Sequence, residues 1–528
     1  MGEIESLVFL LGAAALLAQL ARVLKVPYPI LLVVGGLGLG FVPGLPVVQI
    51  APEVIFVIFL PPLLNAAAFF SSPLDLRAHL RPIALLAIGL VLLTTVAVAA
   101  VAHFVVGLAW APAFVLGAIL APTDPVAAEA IFRRLGVPER VGTVVGGESL
   151  INDGTGLAAF RVAVAVLTGG AFSFWEAGLG FLLIGGGGIV VGLVIAFAIL
   201  PLWARLREPS IMITFSVLIP YGVYILAEEV LHVSGILAVV TYGLYQGWKA
   251  PRLFPDASSR IQALAFWGVL IFVLEALLFI LVGQQLPRIV RELGEYSFAQ
   301  VLFYAALVYA AVLGARFAWF FTTPYLHPVF NRLLRNRYLR APWQERLVMS
   351  WSGMRGAVSL AAALAVPVAI EGAPFERRDL ILFLTFSVIL ATLVLQGLTL
   401  PPLIRALRVV DDGDEDTLME LRARLEGARS ALEGLERLCE DEPVPDGARE
   451  QMRDHYEGRI RRYEAGIEAG GATEEYAQSS AAWRNWRREL IRAEREVILS
   501  LRDGGEISPE VMRRIERDLD LEESRIGG

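Results

Sequence analysis

Long apolar stretches, separated by short polar segments, fill the first 410 residues of the chain. Most are long enough for the roughly 20 apolar residues that a helix needs to cross the hydrocarbon core of a bilayer. The pattern predicts thirteen transmembrane helices, of which the second and the ninth are the shortest. The thirteen runs occupy 4–22, 28–43, 53–70, 79–106, 111–134, 140–168, 174–204, 210–231, 234–249, 260–286, 297–326, 344–370 and 379–407.

The overall composition also indicates a membrane protein. Apolar residues make up 56% of the 528 residues, and the mean hydropathy is +0.62. Soluble domains are typically about 45–50% apolar. The first run follows Glu3 and Glu5 instead of the basic segment that opens a cleavable signal peptide, so it is predicted to be a retained helix.

The basic residues between the apolar runs are concentrated in alternate connections. Because arginine and lysine are enriched in cytoplasmic loops, this alternation predicts a plasma-membrane protein with its N-terminus outside and its C-terminus in the cytoplasm. The predicted cytoplasmic connections hold the arginines and lysines at 22–25, 77–81, 133–140, 205–207, 249–260, 332–340 and 405–408. The opposite side has only Arg288, Arg291, Arg377 and Arg378.

The composition changes abruptly at Asp411. Residues 411–528 contain 31 acidic and 19 basic residues, and no apolar run there is long enough to span a bilayer. Leucines at helical spacing, and Ser508 as a predicted N-cap before Pro509, indicate helices. We therefore expect a transmembrane domain at 1–410 and an acidic, helical, cytosolic domain at 411–528. The second domain could solubilise the protein or regulate it.

Acidic residues occur within two consecutive apolar runs. Residues 146–156 read Gly-Gly-Glu-Ser-Leu-Ile-Asn-Asp-Gly-Thr-Gly, and the preceding run contains Pro122-Thr123-Asp124-Pro125. A carboxylate at membrane depth costs about a few kcal/mol and persists mainly on ion or proton pathways. Asp124, Glu148 and Asp153 therefore indicate an ion site.

Two of the predicted spans contain helix breakers. Pro122 and Pro125 remove backbone donors from the fifth span, and the twelfth contains Gly353-Met354-Arg355-Gly356. Broken helices at matching places in two halves of a chain are typical of transporter sites. We expect six-helix inverted repeats, spans 1–6 against spans 8–13, with crossed broken helices. Two unrelated kinks, which membrane helices also tolerate, are the alternative.

A polar stripe follows one face of the sixth span, because residues four apart stack on an α-helix; it consists of Ser149, Asn152, Asp153 and Gly156. A hard monovalent cation that sheds its water needs oxygen ligands. Asp153, Asp124, Ser149 and the carbonyl of Thr123 provide such ligands, with Asn152 on the same stripe. The alternative is a structural Asp153 neutralised by an arginine.

Arg355 needs a partner, since an unpaired guanidinium within a span is costly. Glu148 lies one position from the polar stripe and is the predicted partner. This pair is expected to fix two helices beside the site without carrying ions. The remaining charges Glu275, Arg161 and Arg316 could pair among themselves or line a funnel.

Four motifs resemble those of the monovalent cation:proton antiporters, in the sodium/proton-exchanger branch of bacterial type. Their order and spacing are similar to that family across about 400 residues. The motifs are Leu60-Pro61-Pro62-Leu63-Leu64, Ala121-Pro122-Thr123-Asp124-Pro125-Val126, Gly147-Glu148-Ser149-Leu150-Ile151-Asn152-Asp153 and Ser352-Gly353-Met354-Arg355-Gly356-Ala357.

The resemblance implies a thirteen-helix fold of inverted repeats, an elevator-like transport cycle and a homodimer. It implies that Asp153 carries the ion or proton, with Asp124, Ser149 and the Thr123 carbonyl as ligands. An asparagine before the aspartate, here Asn152, marks the electroneutral branch, whereas electrogenic relatives have two adjacent aspartates.

The third span departs from the family pattern. Members commonly have a Glu or Asp just after Leu-Pro-Pro-Leu-Leu, where this chain has Asn65-Ala66-Ala67-Ala68. The missing carboxylate leaves the coordination number and the preferred cation open, and Asn65 or Glu275 could compensate for it.

The predicted function is secondary active exchange of Na⁺, or of Li⁺, for H⁺, electroneutral and one-for-one through competition at Asp153. The expected partners are the cation, the proton, the lipid bilayer and a second copy of the chain. No enzyme activity, cofactor or nucleic-acid partner is expected. The sequence contains no Walker loop, metal cluster or nucleophile triad, which argues against an ATP-driven pump. K⁺/H⁺ exchange on the same scaffold is the main alternative, and a cation channel, which requires a continuous polar pore, is a second one.

Overall fold

A computed structural model of the chain divides into two compact units, Met1–Val410 and Asp411–Gly528. Both units are built almost entirely from helices, as the sequence predicts. The connections at 207 and 332–340, which hold predicted cytoplasmic arginines, lie outside the described residues. The structure describes residues 3–42, 55–169, 174–206, 208–253, 257–292, 296–323, 342–370, 373–375, 377–410, 414–441, 446–468, 474–504 and 506–527.

The described helices of the first unit are, in chain order, α1 (Glu3–Leu24), α2 (Tyr28–Gly40), α3 (Leu60–Phe70), α4 (Pro73–Ala78), α5 (Leu80–Ala84), α6 (Val91–Phe104), α7 (Trp110–Leu120), α8 (Val126–Leu135), α9 (Glu139–Leu167), α10 (Phe174–Arg205), α11 (Pro209–Ile225), α12 (Gly235–Leu253), α13 (Ala257–Glu292), α14 (Phe298–Thr322), α15 (Trp343–Trp351), α16 (Ala357–Leu364), α17 (Arg378–Ala391) and α18 (Gly397–Leu407). Short π-helical turns adjoin α3, α6, α11 and α18, at Ile55–Phe59, Leu85–Leu90, Leu226–Val230 and Thr392–Gln396. Two-residue strands β1 (Ala369–Ile370) and β2 (Ala373–Pro374) form an antiparallel hairpin.

Seven helical stretches in the described part of the chain are long and apolar enough to cross a membrane. They are Leu80–Phe104, Glu139–Leu167, Gly178–Trp203, Pro209–Val230, Ser259–Pro287, Phe298–Thr322 and Arg378–Leu407. Shorter apolar helices lie within four further predicted runs, at Val8–Leu24, Tyr28–Gly40, Ile55–Phe70 and Trp110–Leu120. The chain is thus an all-α, multi-span membrane protein, while the count of thirteen spans stays a prediction.

Glycines bring the short helix α2 into close contact with α13. A Cβ atom on Gly36 would lie 2.1 Å from the carbonyl oxygen of Ile280, and one on Gly283 would lie 2.1 Å from that of Val33. Small residues allow membrane helices to approach this closely. The same contact places Tyr28, the first residue of α2, where its hydroxyl donates to the carboxylate of Glu275.

The two predicted helix breaks are confirmed. The fifth run forms α7 and α8, which are separated by 121–125, and the twelfth forms α15 and α16, which are separated by 352–356. Prolines at 122 and 125 have no amide hydrogen to continue the ladder of the first helix. The half-helices α7 and α16 pack against each other, so the breaks cross. The inverted-repeat relation between the two halves stays a prediction.

The second unit consists of α19 (Asp414–Asp441), α20 (Asp446–Glu468), α21 (Glu474–Asp503) and α22 (Pro509–Gly527). Helix α22 begins at Pro509, and the hydroxyl oxygen of Ser508 accepts the backbone N–H of Val511 at 3.2 Å, which is the predicted N-cap. Ile491 and Leu519 are buried together where α21 and α22 pack.

Candidate cation-binding site

The two broken spans hydrogen bond to each other at their breaks. The backbone N–H of Asp124 donates to the carbonyl oxygen of Met354 at 2.8 Å. Four helix termini therefore converge, the ends of α7 and α15 and the starts of α8 and α16. Because a helix carries partial positive charge at its N-terminus and partial negative charge at its C-terminus, the crossing collects both signs within an apolar surrounding.

The carboxylate of Asp124 lies at the start of both α8 and α16. It accepts a hydrogen bond from the backbone N–H of Val126, at 3.0 Å, and another from that of Ala357, which are the first residues of the two helices. A helix N-terminus favours an anion, and here two N-termini share one. The two backbone donors thus offset part of the charge of Asp124, while the side chain remains partly exposed.

Glycines permit the close approach of the backbone at this crossing. A Cβ atom on Gly356 would lie 1.8 Å from Oδ2 of Asp124, far inside van der Waals contact. A Cβ atom on Gly156 of α9 would lie 2.2 Å from Cγ of Pro122 in the first break. Only a residue without a side chain fits at either position.

Arg355 satisfies carbonyl oxygens at the opposite helix ends. Its Nε donates to the carbonyl of Leu120, the last residue of α7, at 3.0 Å, and its Nη1 donates to that of Gly353. Its backbone N–H donates to Oγ1 of Thr392 at 3.1 Å, in the π-helical turn before α18. Because a helix C-terminus favours a cation, Arg355 stabilises the end of α7. Among the described residues, no acidic side chain hydrogen bonds to it.

The partner predicted for Glu148 is corrected from Arg355 to Arg316 of α14. Nη1 and Nη2 of Arg316 donate to the two carboxylate oxygens of Glu148 at 2.5 and 2.9 Å. Both side chains are buried, with 2% of Glu148 and 1% of Arg316 exposed. Nε of Arg316 also caps the carbonyl of Met349 in α15, at 3.1 Å. Arg316 and Arg355 both lie within predicted spans, and spacing along the sequence does not choose between them.

The polar stripe of α9 faces the break between α7 and α8, so that residues of both can belong to one set of cation ligands. The hydroxyl of Thr123 lies 3.1 Å from that of Ser149 and accepts Nδ2 of Asn152 at 2.7 Å. It also lies 3.4 Å from the carboxylate of Glu148. Oδ1 of Asn152 is buried and has no donor in the part of the chain that the structure describes. The structure therefore brings Thr123, Ser149 and Asn152 together beside Asp124.

Asp153 differs from the other buried acids. Four acidic side chains are buried among the described residues, and three of them have side-chain donors: Glu148 with Arg316, Glu275 with Tyr28, and Glu345 with Arg140. Asp153 is 9% exposed. No donor to its carboxylate is found among the described residues, and the nearby charge of Asp124 opposes its own. Its negative charge is therefore left uncompensated.

The third span offers an amide where the family pattern has a carboxylate. Asn65 is 5% exposed, and its Oδ1 has no donor among the described residues. It lies where α3 packs on α12, so that a Cβ atom on Gly243 would be 3.1 Å from this oxygen. Glu275, the other candidate for compensation, is already bonded to Tyr28. Sequence reasoning missed Tyr28, since only the packing of α2 on α13 joins these distant residues.

Comparison with known proteins identifies the family to which the chain is similar. A family model described as "Sodium/hydrogen exchanger, transmembrane" matches residues 9–406. The Na(+)/H(+) antiporter ApNhaP of Aphanothece halophytica is 36% identical over 425 residues, covering 80% of this chain and 77% of the relative. A sodium, potassium, lithium and rubidium/H(+) antiporter of Bacillus pumilus is 34% identical over 423 residues, covering 77% of this chain and 61% of the relative.

The fold matches a solved structure as well. The sodium proton antiporter MjNhaP1 from Methanocaldococcus jannaschii superposes with a TM-score of 0.61 at 23% sequence identity, over 77% of this chain and 98% of that chain. At this identity the likeness establishes the fold alone. With the family model and the sequence relatives, it leads to one conclusion: the chain belongs to the sodium/hydrogen exchanger family, a family of membrane transporters.

Proposed function

We propose that the chain exchanges Na⁺, with Li⁺ as a second substrate, for H⁺, with one-for-one stoichiometry at Asp153. The observation that carries this proposal is the uncompensated charge of Asp153, which is buried without a donor among the described residues. An isolated buried charge is strongly unfavourable. A proton or a monovalent cation each supplies the single positive charge that neutralises it, so the two ligands compete.

The neighbouring oxygens suit a dehydrated monovalent cation. Hard cations prefer carboxylate, hydroxyl, carbonyl and amide oxygens. Besides Asp153 itself, we assign as ligands Asp124, the hydroxyl of Ser149, the carbonyl of Thr123 and Oδ1 of Asn152. The short contacts of Thr123 with Ser149 and Asn152 support this set. The missing donor to Oδ1 of Asn152 supports it further, because a buried acceptor without a donor is costly unless a water or ion binds it.

Coupling follows from the charge of the occupied and empty states. With a proton or a cation bound, Asp153 is neutral and the site can move through the apolar interior. With neither bound, the carboxylate would cross as a bare anion, which the membrane opposes strongly. Only the loaded site exchanges between the two sides, so one cation moves for each proton and no net charge is transferred.

Potassium is the second candidate cation. The B. pumilus relative, 34% identical, bears a name that includes potassium and rubidium beside sodium and lithium. The amide of Asn65 in place of a third carboxylate leaves a site with less negative charge, which favours a larger and more weakly hydrated ion. For this reason the cation must be identified by direct measurement.

The proposed setting is the plasma membrane, with the N-terminus outside and the C-terminus in the cytoplasm. The alternation of basic residues between the apolar runs supports this orientation. A homodimer is proposed from the resemblance to the family.

Transport by purified protein in liposomes tests the proposal. An internal pH dye should report proton movement when Na⁺ or Li⁺ is added outside, and the rate should be unchanged when valinomycin and K⁺ clamp the membrane potential. If only K⁺ produces a response, potassium and not sodium is the transported cation. A rate that depends on the clamped potential would contradict one-for-one exchange.

A further inference from the structure

A cavity lies beside Asp153 on the side of α9 that the sequence predicts to face outward. It has a volume of about 100 Å³, which is room for several water molecules. Its wall begins at Gly154, the residue after Asp153, and continues along α9 with Ala158 and Arg161. The cavity therefore extends to the helical turn that carries Asp153.

A salt bridge crosses the wall of this cavity. Arg161 of α9 pairs with Oε1 of Glu228, which lies in the π-helical turn Leu226–Val230 after α11. Oε2 of Glu228 accepts the backbone N–H of Gly235, the first residue of α12, at 2.9 Å. One carboxylate thus joins α9 to α11 and α12, and both charged side chains line the cavity.

This salt bridge is more exposed to solvent than the one that Glu148, also on α9, forms with Arg316 of α14. The side chains of Arg161 and Glu228 are 36% and 20% exposed, whereas those of Arg316 and Glu148 are 1% and 2% exposed. Separating a fully buried pair leaves two charges without solvent, but a partly hydrated pair can separate into water at little cost.

We propose that Arg161 and Glu228 form the outer gate of the transport pathway and that Glu228 is the first carboxylate that an entering monovalent cation meets. In the closed state the guanidinium of Arg161 pairs with the carboxylate of Glu228 and repels cations from the cavity. In the open state Glu228 is released and attracts a cation toward Asp153. The identity of the ion rests on the proposed function, but the gate itself does not.

Cysteine accessibility tests the gate independently of transport. Ala158→Cys places a thiol in the cavity, on a background in which the single native cysteine is removed by Cys439→Ser. Arg161→Gln and Glu228→Gln should each accelerate labelling by an impermeant maleimide added outside, by up to about fivefold, as expected for the loss of one partly exposed salt bridge. The charge-reversed pair Arg161→Glu with Glu228→Arg should return labelling toward the original rate.

The two single variants separate gating from simple electrostatics. They change the local charge in opposite directions, so a purely electrostatic effect on the reagent would speed one reaction and slow the other. Arg133→Gln is the matched control, because Arg133 forms an exposed salt bridge with Glu129 in α8, away from the cavity. Unchanged labelling in both single variants, or equal acceleration in the control, would overturn the gate and leave the assignment of Asp153 intact.

Cation recruitment has its own readout. Arg161→Gln frees Glu228 and should lower the external sodium concentration at half-maximal exchange, whereas Glu228→Gln removes the carboxylate and should raise it. Shifts in the same direction in both variants would show that the pair has only a structural role and would overturn the proposed role of Glu228.

Discussion

Two regions each contribute an aspartate to the candidate cation site: the crossing of the broken helices contributes Asp124, and the unbroken helix α9 contributes Asp153. The two carboxylates differ in how the surrounding groups offset their charge. Asp124 accepts backbone N–H groups at the starts of α8 and α16, so its negative charge is balanced by two helix N-termini. Asp153 has no donor among the described residues and is almost fully buried. Backbone donors favour the anionic form of Asp124, although burial opposes it, whereas no donor among the described residues favours the anion at Asp153. Asp153 is therefore the carboxylate that we expect to bind a proton or a cation.

The largest effect is expected when the uncompensated charge is removed. Asp153→Asn cannot bind a proton or balance a cation, so sodium-driven proton movement in liposomes should fall to background. The protein should fold, because no hydrogen bond among the described residues depends on this carboxylate. Asp75→Asn, on the short helix α4, is the control and should exchange normally. Substantial exchange by Asp153→Asn would remove Asp153 as the carrier.

A third carboxylate, Glu148, extends the comparison, since an arginine compensates it fully. Removing either Glu148 or Arg316 leaves a buried unpaired charge, which should lower the free energy of unfolding by about 3–5 kcal/mol. The melting temperature of Glu148→Gln and of Arg316→Gln in detergent should therefore drop, and the double variant should recover much of the loss. Combining Glu148→Gln with Arg355→Gln should give no recovery. The reverse pattern would restore Arg355 as the partner.

The hydrogen bonds that Asp124 accepts depend on a close approach at Gly356, and a substitution of this glycine tests that approach. Gly356→Ala forces a Cβ atom to within 1.8 Å of Oδ2 of Asp124, so the carboxylate or the start of α16 must move. A shift of about 1 Å in a ligating group can reduce a rate roughly a hundredfold, and a loss of that order is expected in maximal exchange. Gly314→Ala is the matched control, since a Cβ atom there meets no atom within 4 Å. Equal rates for both variants would refute the close packing at the crossing.

Removing the compensated charge should have a smaller effect. Asp124→Asn retains an oxygen at the helix N-termini but loses a formal charge near the cation. We expect the apparent affinity for sodium to weaken about tenfold, which corresponds to about 1.4 kcal/mol, with a lesser change in maximal rate. The sodium dependence of the initial rate of proton movement measures both. An unchanged affinity would place Asp124 outside the ligand set and leave it a purely structural cap.

The features that the sequence predicted well are those determined by local chemistry. Prolines at 122 and 125, three residues apart, remove two amide donors from one stretch of the helical ladder, and the stripe of Ser149 and Asn152 follows from the helical period alone. The close approach at Gly356 could be anticipated as a break but not as a contact with Asp124.

The features that were missed depend on contacts between helices distant in sequence. Glu148 could pair with Arg355 or with Arg316, and only the tertiary fold, which brings Arg316 of α14 to Glu148 of α9, selects Arg316. Glu228 and Arg161 lie in different spans, and the π-helical turn that carries Glu228 leaves no periodic signal in the sequence. The bond between Tyr28 and Glu275 likewise depends on the glycine contact between α2 and α13.

Proton release on cation binding tests the central claim most directly. If sodium and a proton compete for Asp153, adding Na⁺ to weakly buffered, purified protein at a pH where the site is protonated should release about one proton per bound cation. Asp153→Asn should release none, while Asp124→Asn should still release protons, at higher sodium concentrations. A pH dye in solution, calibrated against added acid, gives the number. Proton release that persists in Asp153→Asn would show that the exchanging group lies elsewhere.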